Sequence, residues 1–342
     1  MKFGLILPYD QPRDYSSQQQ LRDYLETVHL ARQYGFDSVA VSHHFVSYPQ
    51  RFFQPIPLLS RLAAETGPMQ LITYVLQSVF YNPLDLADQI ATLDIISGGH
   101  FVLGVAMGWR EPLFEAFNMR LRERVGRFVE SLAIMTQLWA GEEVSFKGRY
   151  FTVVKARLGV TPLQRPHPPI WIGAQSDPGT VRAGRLGHAW CPAASMPDDL
   201  LDKRWKLYDD ALLAHGHAKP TDRPLRKDVY LASTREQAIK EAQDAVMPLW
   251  AKTGQVYASW GLPNTSTHSA GVNLPFEEAI KNKLLVCTPE ECIDALESYR
   301  QRWGVNHVIF RCEWTTQPRK AQLRQIELLG ERVLPHFRKK SE

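Results

Sequence analysis

The sequence predicts an α/β fold of the (β/α)8 barrel type, and three observations carry that expectation. Short apolar runs rich in Val, Ile, Leu and Phe recur along the whole chain. They are nearly unbroken instead of alternating polar and apolar, as strands covered on both faces are. Between them lie segments of helical periodicity, and eight strand–helix alternations over 342 residues suit a barrel with insertions. A doubly wound sheet is the rival architecture. Against it, the glycines of "GGHFVLGVAMG" stand in a strand and at its end, with the wrong spacing for a dinucleotide fingerprint.

Taken in order, the strands are read at "FGLIL" from residue 3, "DSVAV" from 37, "QLITYVL" from 70, "FVLGVAM" from 101, "PIWIG" from 169, "HAWC" from 188, "DVYLAS" from 228 and "HVIFRC" from 307. The clearest helix is "PLDLADQIATLDIIS", with Leu84, Ala87, Ile90, Ala91 and Ile95 on one face. Pro83 suits its first turn, and Gly98 and Gly99 end it. Two segments depart from the rhythm within a single domain, 1–342. "EEVSFKGRYFTVV", 142–154, alternates and turns at Lys147-Gly148, which predicts an inserted β-hairpin. The stretch from about Thr253 to Pro275 is too long and irregular for an ordinary connection and is expected to be a lid loop.

Composition narrows the function classes. The chain is 44% hydrophobic, enough to bury one large core. Net charge is +4, with basic residues scattered among nearly as many acids apart from the arginines between Arg110 and Arg127, so nucleic-acid binding is not indicated. The apolar run of "MKFGLILPYD" is too short for a signal peptide, and no run of 18 apolar residues occurs, so a soluble cytoplasmic protein with no membrane partner is expected. Cys191, Cys287, Cys292 and Cys312 form no CxxC pair and are expected to be reduced core residues. The HxH of a metal-dependent barrel hydrolase is missing from the first strand, and no metal site is predicted.

In a barrel the active site gathers at the C-terminal ends of the strands. His43 and His44 stand just past the second strand, a position that favours function, although a histidine pair taken alone reads first as a hydrogen-bonded structural pair. The fifth strand runs into Gly173 and Ala174, then Ser176, Asp177, Gly179 and Thr180 precede a helix whose free amides suit an anion; a simple cap at Ser176 or Asp177 is the equal alternative.

The stretches "MKFGLILP", "GFDSVAVSHHF", "ATLDIISGGHFVLGVAMGW", "LWAGEEVSFKGRYF", "RPHPPIWIGAQS", "VNHVIFRCEW" and "LLGERVLPHF" together resemble the bacterial luciferase-like family of flavin-dependent oxidoreductases, over nearly the whole chain. The resemblance implies an inserted (β/α)8 barrel and assigns residues one by one. His44 matches the catalytic histidine beside the flavin ring, while His43 falls where relatives more often carry Glu or Asp. Thr73, Tyr74 and Val75 match the segment that lays a non-prolyl cis peptide against the flavin, expected between Tyr74 and Val75. Ala106 and Met107 match cofactor positions that are a cysteine and an arginine in the luciferase itself. Gln175, Ser176, Gly179 and Thr180 match the phosphate loop.

The reaction implied is oxygenation of a small, largely apolar substrate by reduced FMN and dioxygen, with His44, of unperturbed pKa about 6.5, moving a proton. No nicotinamide motif is visible, so delivery of reduced flavin by a separate reductase is expected, and the resemblance also implies a homodimer. Phe45, Trp109 and Trp190 are candidate substrate walls, with Phe52, Trp250, Tyr257, Trp260 and Trp314. Arg311, ending the eighth strand, either holds an anionic group or pairs with a carboxylate across the barrel mouth. Two alternatives stand beside this reading: a deazaflavin-dependent oxidoreductase transferring hydride, with the arginines at 120–127 as a landing site for an acidic cofactor tail instead of a solvated face, and a barrel that binds flavin without catalysis.

Overall fold

The computed structural model describes residues 1–194, 196–260 and 275–338. The strands are β1 (Lys2–Ile6), β2 (Ser38–Val41), β3 (Gln70–Thr73), β4 (Leu76–Gln77), β5 (Phe101–Ala106), β6 (Val144–Lys147), β7 (Thr152–Ala156), β8 (Ile170–Gly173), β9 (Ala189–Cys191), β10 (Pro224–Leu231), β11 (Leu284–Cys287) and β12 (His307–Arg311). The helices are α1 (Ser17–Gln33), α2 (Pro55–Thr66), α3 (Pro83–Ile96), α4 (Glu111–Ala116), α5 (Arg124–Trp139), α6 (Asp177–Arg185), α7 (Asp198–Ala214), α8 (Arg235–Ser259), α9 (Phe276–Asn282), α10 (Pro289–Trp303), α11 (Arg319–Leu328) and α12 (Leu334–Arg338). None of them is long and apolar enough to cross a membrane.

One curled parallel sheet runs in the order β11-β10-β12-β1-β2-β3-β5-β8-β9, with β4 also paired to β5. β9 and β10 lie side by side, yet no hydrogen-bonded ladder joins them among the described residues. The result is TIM-barrel-like. Both faces of the strands are buried, which is why the sequence shows unbroken apolar runs. Ile6, Ala40, Ile72, Val102, Trp171 and Ile309 fill the interior. Their neighbours Leu5, Val39, Leu71, Phe101 and Phe310 point outward and pack under the helices. The interior is tight: a methyl group on Gly4 would overlap Ser38 Oγ, and one on Gly104 would overlap the Thr73 carbonyl oxygen.

α3 follows its sequence signals. Asn82 caps it, its side chain accepting from Leu84 N at 2.9 Å, and Gly98 and Gly99 end it with φ of 66° and 80°. Ala87, Ile90 and Ala91 are buried, but Ile95 is exposed, because the buried face continues through Leu93 and Asp94 in the last turn. β6 and β7 form an antiparallel two-stranded sheet. Its turn is tied to α5 by Glu130, whose carboxylate accepts from the backbone N–H of Arg149, Tyr150 and Phe151 at 2.8, 2.9 and 3.1 Å.

The structure meets one expectation of architecture and corrects two. The Tyr74–Val75 peptide is cis, as the resemblance implies, and it divides the third strand into β3 and β4. β11 is an additional strand paired with the second half of β10, from Asp228 with Leu284 to Leu231 with Cys287. The lid predicted for 253–275 is helix α8 up to Ser259, because Thr253, Gly254 and Val256 bury a helical face; residues 261–274 lie outside the described residues.

Candidate active site

The C-terminal ends of the strands surround a cavity of about 410 Å³, reaching from Tyr9 after β1 to Arg311 at the end of β12. His43 and His44 follow β2 and are wired differently. Gln77 at the end of β4 donates its backbone N–H to His43 Nδ1 at 3.1 Å. A neutral His43 therefore carries its proton on Nε2, which lies 3.0 Å from the Gln54 side-chain oxygen. The Gln77 side-chain amide donates to the His43 carbonyl at 3.3 Å and lies 3.0 Å from His44 Nδ1.

His44 sits in an aromatic cage, its ring 4.8 Å from Phe52, 5.4 Å from Trp260, 6.0 Å from Tyr257 and 6.4 Å from Trp109. Burial in that cage, with His43 and the Arg110 guanidinium nearby, pushes its pKa down to about 3. The expectation of a histidine titrating near neutrality is thereby corrected: His44 is neutral at physiological pH. Arg110 closes the mouth above it, lying 4.0 Å over the Trp260 ring and donating to the carbonyls of Phe45 and Val46 at 3.1 and 3.3 Å.

Opposite His44, the loop after β8 and the end of β5 form a cationic end. Arg124, at the start of α5, lines the cavity beside Met107 and Gln175. Arg182 of α6 donates to Met107 Sδ at 3.6 Å, and its pKa is lowered by burial and by the nearby guanidinium groups of Arg185 and Arg124. Neither Arg124 nor Arg182 meets a carboxylate within ion-pair distance among the described residues. Ser176 caps α6, its Oγ accepting from Gly179 N at 3.3 Å, and Asp177 is drawn outward by Lys203 and Arg204. The cap reading of Ser176 is thus realised alongside its place at the cavity wall.

A third group forms the floor. Arg311 pairs with Asp10 and stands 3.9 Å from Asp228, which in turn holds Arg226 at 3.1 Å. Of the two readings of Arg311, the carboxylate partner across the barrel mouth is the one observed.

Among the predicted site residues, His44, Tyr74, Val75, Ala106, Met107, Trp109, Gln175, Ser176, Gly179 and Arg311 line the cavity. Four do not. Thr73 turns away and donates its hydroxyl to the Gly104 carbonyl at 2.8 Å. Thr180 is fully buried in the first turns of α6. Phe45 packs outward against His43, Phe80, Tyr81 and Phe117. Trp190, fully buried, packs on Trp205 with ring centroids 4.6 Å apart and donates Nε1–H to the Ala174 carbonyl at 3.0 Å. Side chains alternate along β9, so Trp190 faces the helices and Cys191 faces the cavity. Trp314 is likewise a core residue, donating to the Val229 carbonyl at 3.1 Å. The arginine cluster is not one solvated face: Arg127 pairs with Glu123 at 3.3 Å and lies 5.3 Å over Tyr150, while Arg124 reaches the cavity.

Sequence reasoning missed Tyr9, Gln77, Arg226 and Asp228. A signal existed for the last two, since "LRKDVYL" places charges inside an otherwise apolar run, and charges in a doubly covered strand need a purpose. Gln77 gave none.

A parallel barrel with a histidine pair at one end of its cavity and, among the described residues, Arg124 without an acidic partner at the other fits an oxidoreductase of the luciferase-like class. Residues 1–307 match the family described as luciferase-like monooxygenase, and the chain belongs to that family. It is 30% identical over 343 residues to an F420-dependent glucose-6-phosphate dehydrogenase of Beutenbergia cavernae, covering 93% of this chain and 94% of the relative. Its identity to the F420-dependent glucose-6-phosphate dehydrogenase of Microbacterium testaceum is 29% over 325 residues, covering 91% and 92%. Among solved structures, the monooxygenase RslO1 from Streptomyces bottropensis superposes with a TM-score of 0.86 at 27% identity, covering 98% of this chain and all of that one.

Proposed function

We propose that this enzyme is a deazaflavin-dependent oxidoreductase that transfers hydride, using coenzyme F420. This reverses the order of the two cofactors given by sequence motifs alone, where reduced FMN stood first. The observation that carries it is the pair Arg124, which lines the cavity, and Arg182, which stands behind it against the cavity residue Met107: two guanidinium groups that meet no acid among the described residues. Like charges brought together without counter-ions favour a multiply anionic ligand. The F420-dependent activity named for its relatives supports the same reading.

The residues fit such a group. Arg124, Arg182 and the Gln175–Gly179 loop would hold the anionic tail. Tyr74, Val75, Ala106 and Gly173 would flank the ring, the last because a methyl there would press on Val75. A deazaflavin bound in its reduced form would supply a hydride without reacting with dioxygen. The chain contributes positioning, exclusion of water by the cage of Phe52, Trp109, Tyr257 and Trp260, and a hydrogen bond from His44 to the substrate oxygen. An FMN monooxygenase is the second reading, favoured by the likeness to RslO1.

Anaerobic titration with F420 and, in parallel, reduced FMN decides between them. F420 is expected to bind more tightly, and Arg124→Gln and Arg182→Gln to weaken it roughly tenfold each, about 1.4 kcal/mol. Preferential binding of reduced FMN, with a transient peroxyflavin absorbance on mixing with oxygen, would move the protein to the monooxygenases.

A further inference from the structure

If the site transfers hydride, as proposed above, the direction in which the proton on His44 points decides what the site can offer a substrate oxygen. The Gln77 side chain settles it by elimination. Its nitrogen lies 3.3 Å from the His43 carbonyl oxygen, which accepts hydrogen bonds and cannot donate them, so the amide is oriented with NH2 toward the histidines. The second hydrogen of that NH2 is then directed at His44 Nδ1, 3.0 Å away. Nδ1 must be an acceptor, and a neutral His44 carries its hydrogen on Nε2, on a ring that lines the cavity. The backbone secures the same arrangement twice, because the Gln77 N–H itself is held by His43 Nδ1 at 3.1 Å, and Gln54, paired with His43 at 3.0 Å, reaches the His44 carbonyl at 3.4 Å.

We propose that Gln77 is a positioning residue that locks His44 as a hydrogen-bond donor, so that the substrate presents an acceptor oxygen, a ketone, aldehyde or conjugated carbonyl, and not an alcohol awaiting a base. In the step this supports, hydride from the reduced deazaflavin, which is thereby oxidised, would add to the carbonyl carbon and the C=O π pair would move onto oxygen. The negative charge growing there is met by the His44 Nε2–H, which His44 keeps. The alkoxide takes the proton that completes the alcohol from solvent water, leaving hydroxide, as the product leaves the cage. The relatives are named dehydrogenases of a sugar phosphate; this chain is built for reduction of a carbonyl.

The charged and titratable groups facing His44 agree with a donor that stays neutral. His43 lies beside it, Arg110 comes from the start of α4, and Tyr257 from α8, itself hydrogen-bonded to Tyr9. No carboxylate is among the groups that act on its titration, so nothing there rewards the imidazolium.

The test reads the tautomer directly, by nitrogen–proton correlation NMR of the histidine-labelled full chain, with His44→Asn identifying the His44 signals. The wild type is expected to show Nε2 protonated and Nδ1 bare from pH 6 to 8. Gln77→Glu, which offers an acceptor, should move the proton to Nδ1 or produce the imidazolium at neutral pH; Gln77→Met should leave a mixture. A wild-type His44 protonated on Nδ1, or an unchanged signal in Gln77→Glu, overturns the proposal. These signals need no cofactor, so failure of F420 to bind leaves them standing and refutes only the hydride reading. With reduced F420 supplied as the hydride donor, Gln77→Glu should lower the rate of cyclohexanone reduction and introduce a pH dependence near neutrality that the wild type lacks.

Discussion

At the residue scale, two side chains make opposite demands on their surroundings. His44 is held neutral inside an aromatic cage, and its loss should leave the cofactor end untouched: His44→Ala is expected to reduce turnover by roughly 10²–10³-fold with little change in F420 affinity, measured by titration and steady-state rates. An unchanged turnover would remove His44 from the chemistry. Arg311 is a buried charge whose partner Asp10 is equally buried. Arg311→Leu strands the carboxylate and should cost about 3–5 kcal/mol in urea unfolding, whereas the double change with Asp10→Asn should recover most of that loss. The sequence showed His44 because it stands at a strand end beside a recognisable motif. It hid Gln77, whose role depends on a carbonyl and two ring nitrogens more than thirty residues away. Trp190 was misplaced for a simple reason: in a three-residue strand, a shift of one position exchanges core for cavity.

At the scale of elements, the eight principal strands were legible because burial on both faces writes itself as an apolar run. β11 was not, since its four residues look like the start of the following helix, and its pairing with β10 is a tertiary event. The hairpin β6–β7 was visible through its alternation and Gly148. Its anchorage to α5 was not: one carboxylate, Glu130, satisfies three backbone donors across about twenty residues. Glu130→Ala should free the turn, raising hydrogen exchange of peptide 144–156 selectively and costing about 1–3 kcal/mol. Equal exchange in variant and wild type would show that the hairpin holds by strand pairing alone.

For the whole molecule, the buried histidines set an acid limit on stability. Burial pushes His43 to about 4 and His307, against Ser38 and Trp171 inside the barrel, to about 3. Their pKa values are depressed, so below about pH 6.5 the unfolded chain takes up protons that the native chain refuses. Their stabilising effect is full above about pH 6.5 and is lost as pH falls toward 4. Unfolding free energy should therefore drop by about 1.4 kcal/mol per histidine for each pH unit between 6 and 4, read from urea midpoints. A midpoint constant over that range would contradict the burial of both rings.

Cavity residues come from Tyr9 near one end of the chain to Arg311 near the other, delivered by the ends of several parallel strands and by helices α5, α6 and α8. No contiguous fragment contains the pocket. Ligand binding is therefore a readout of the entire topology: a chain cut in two should recover affinity only when both halves dock, and a tightly bound ligand should stabilise every strand at once, acting as a fastener for the ring.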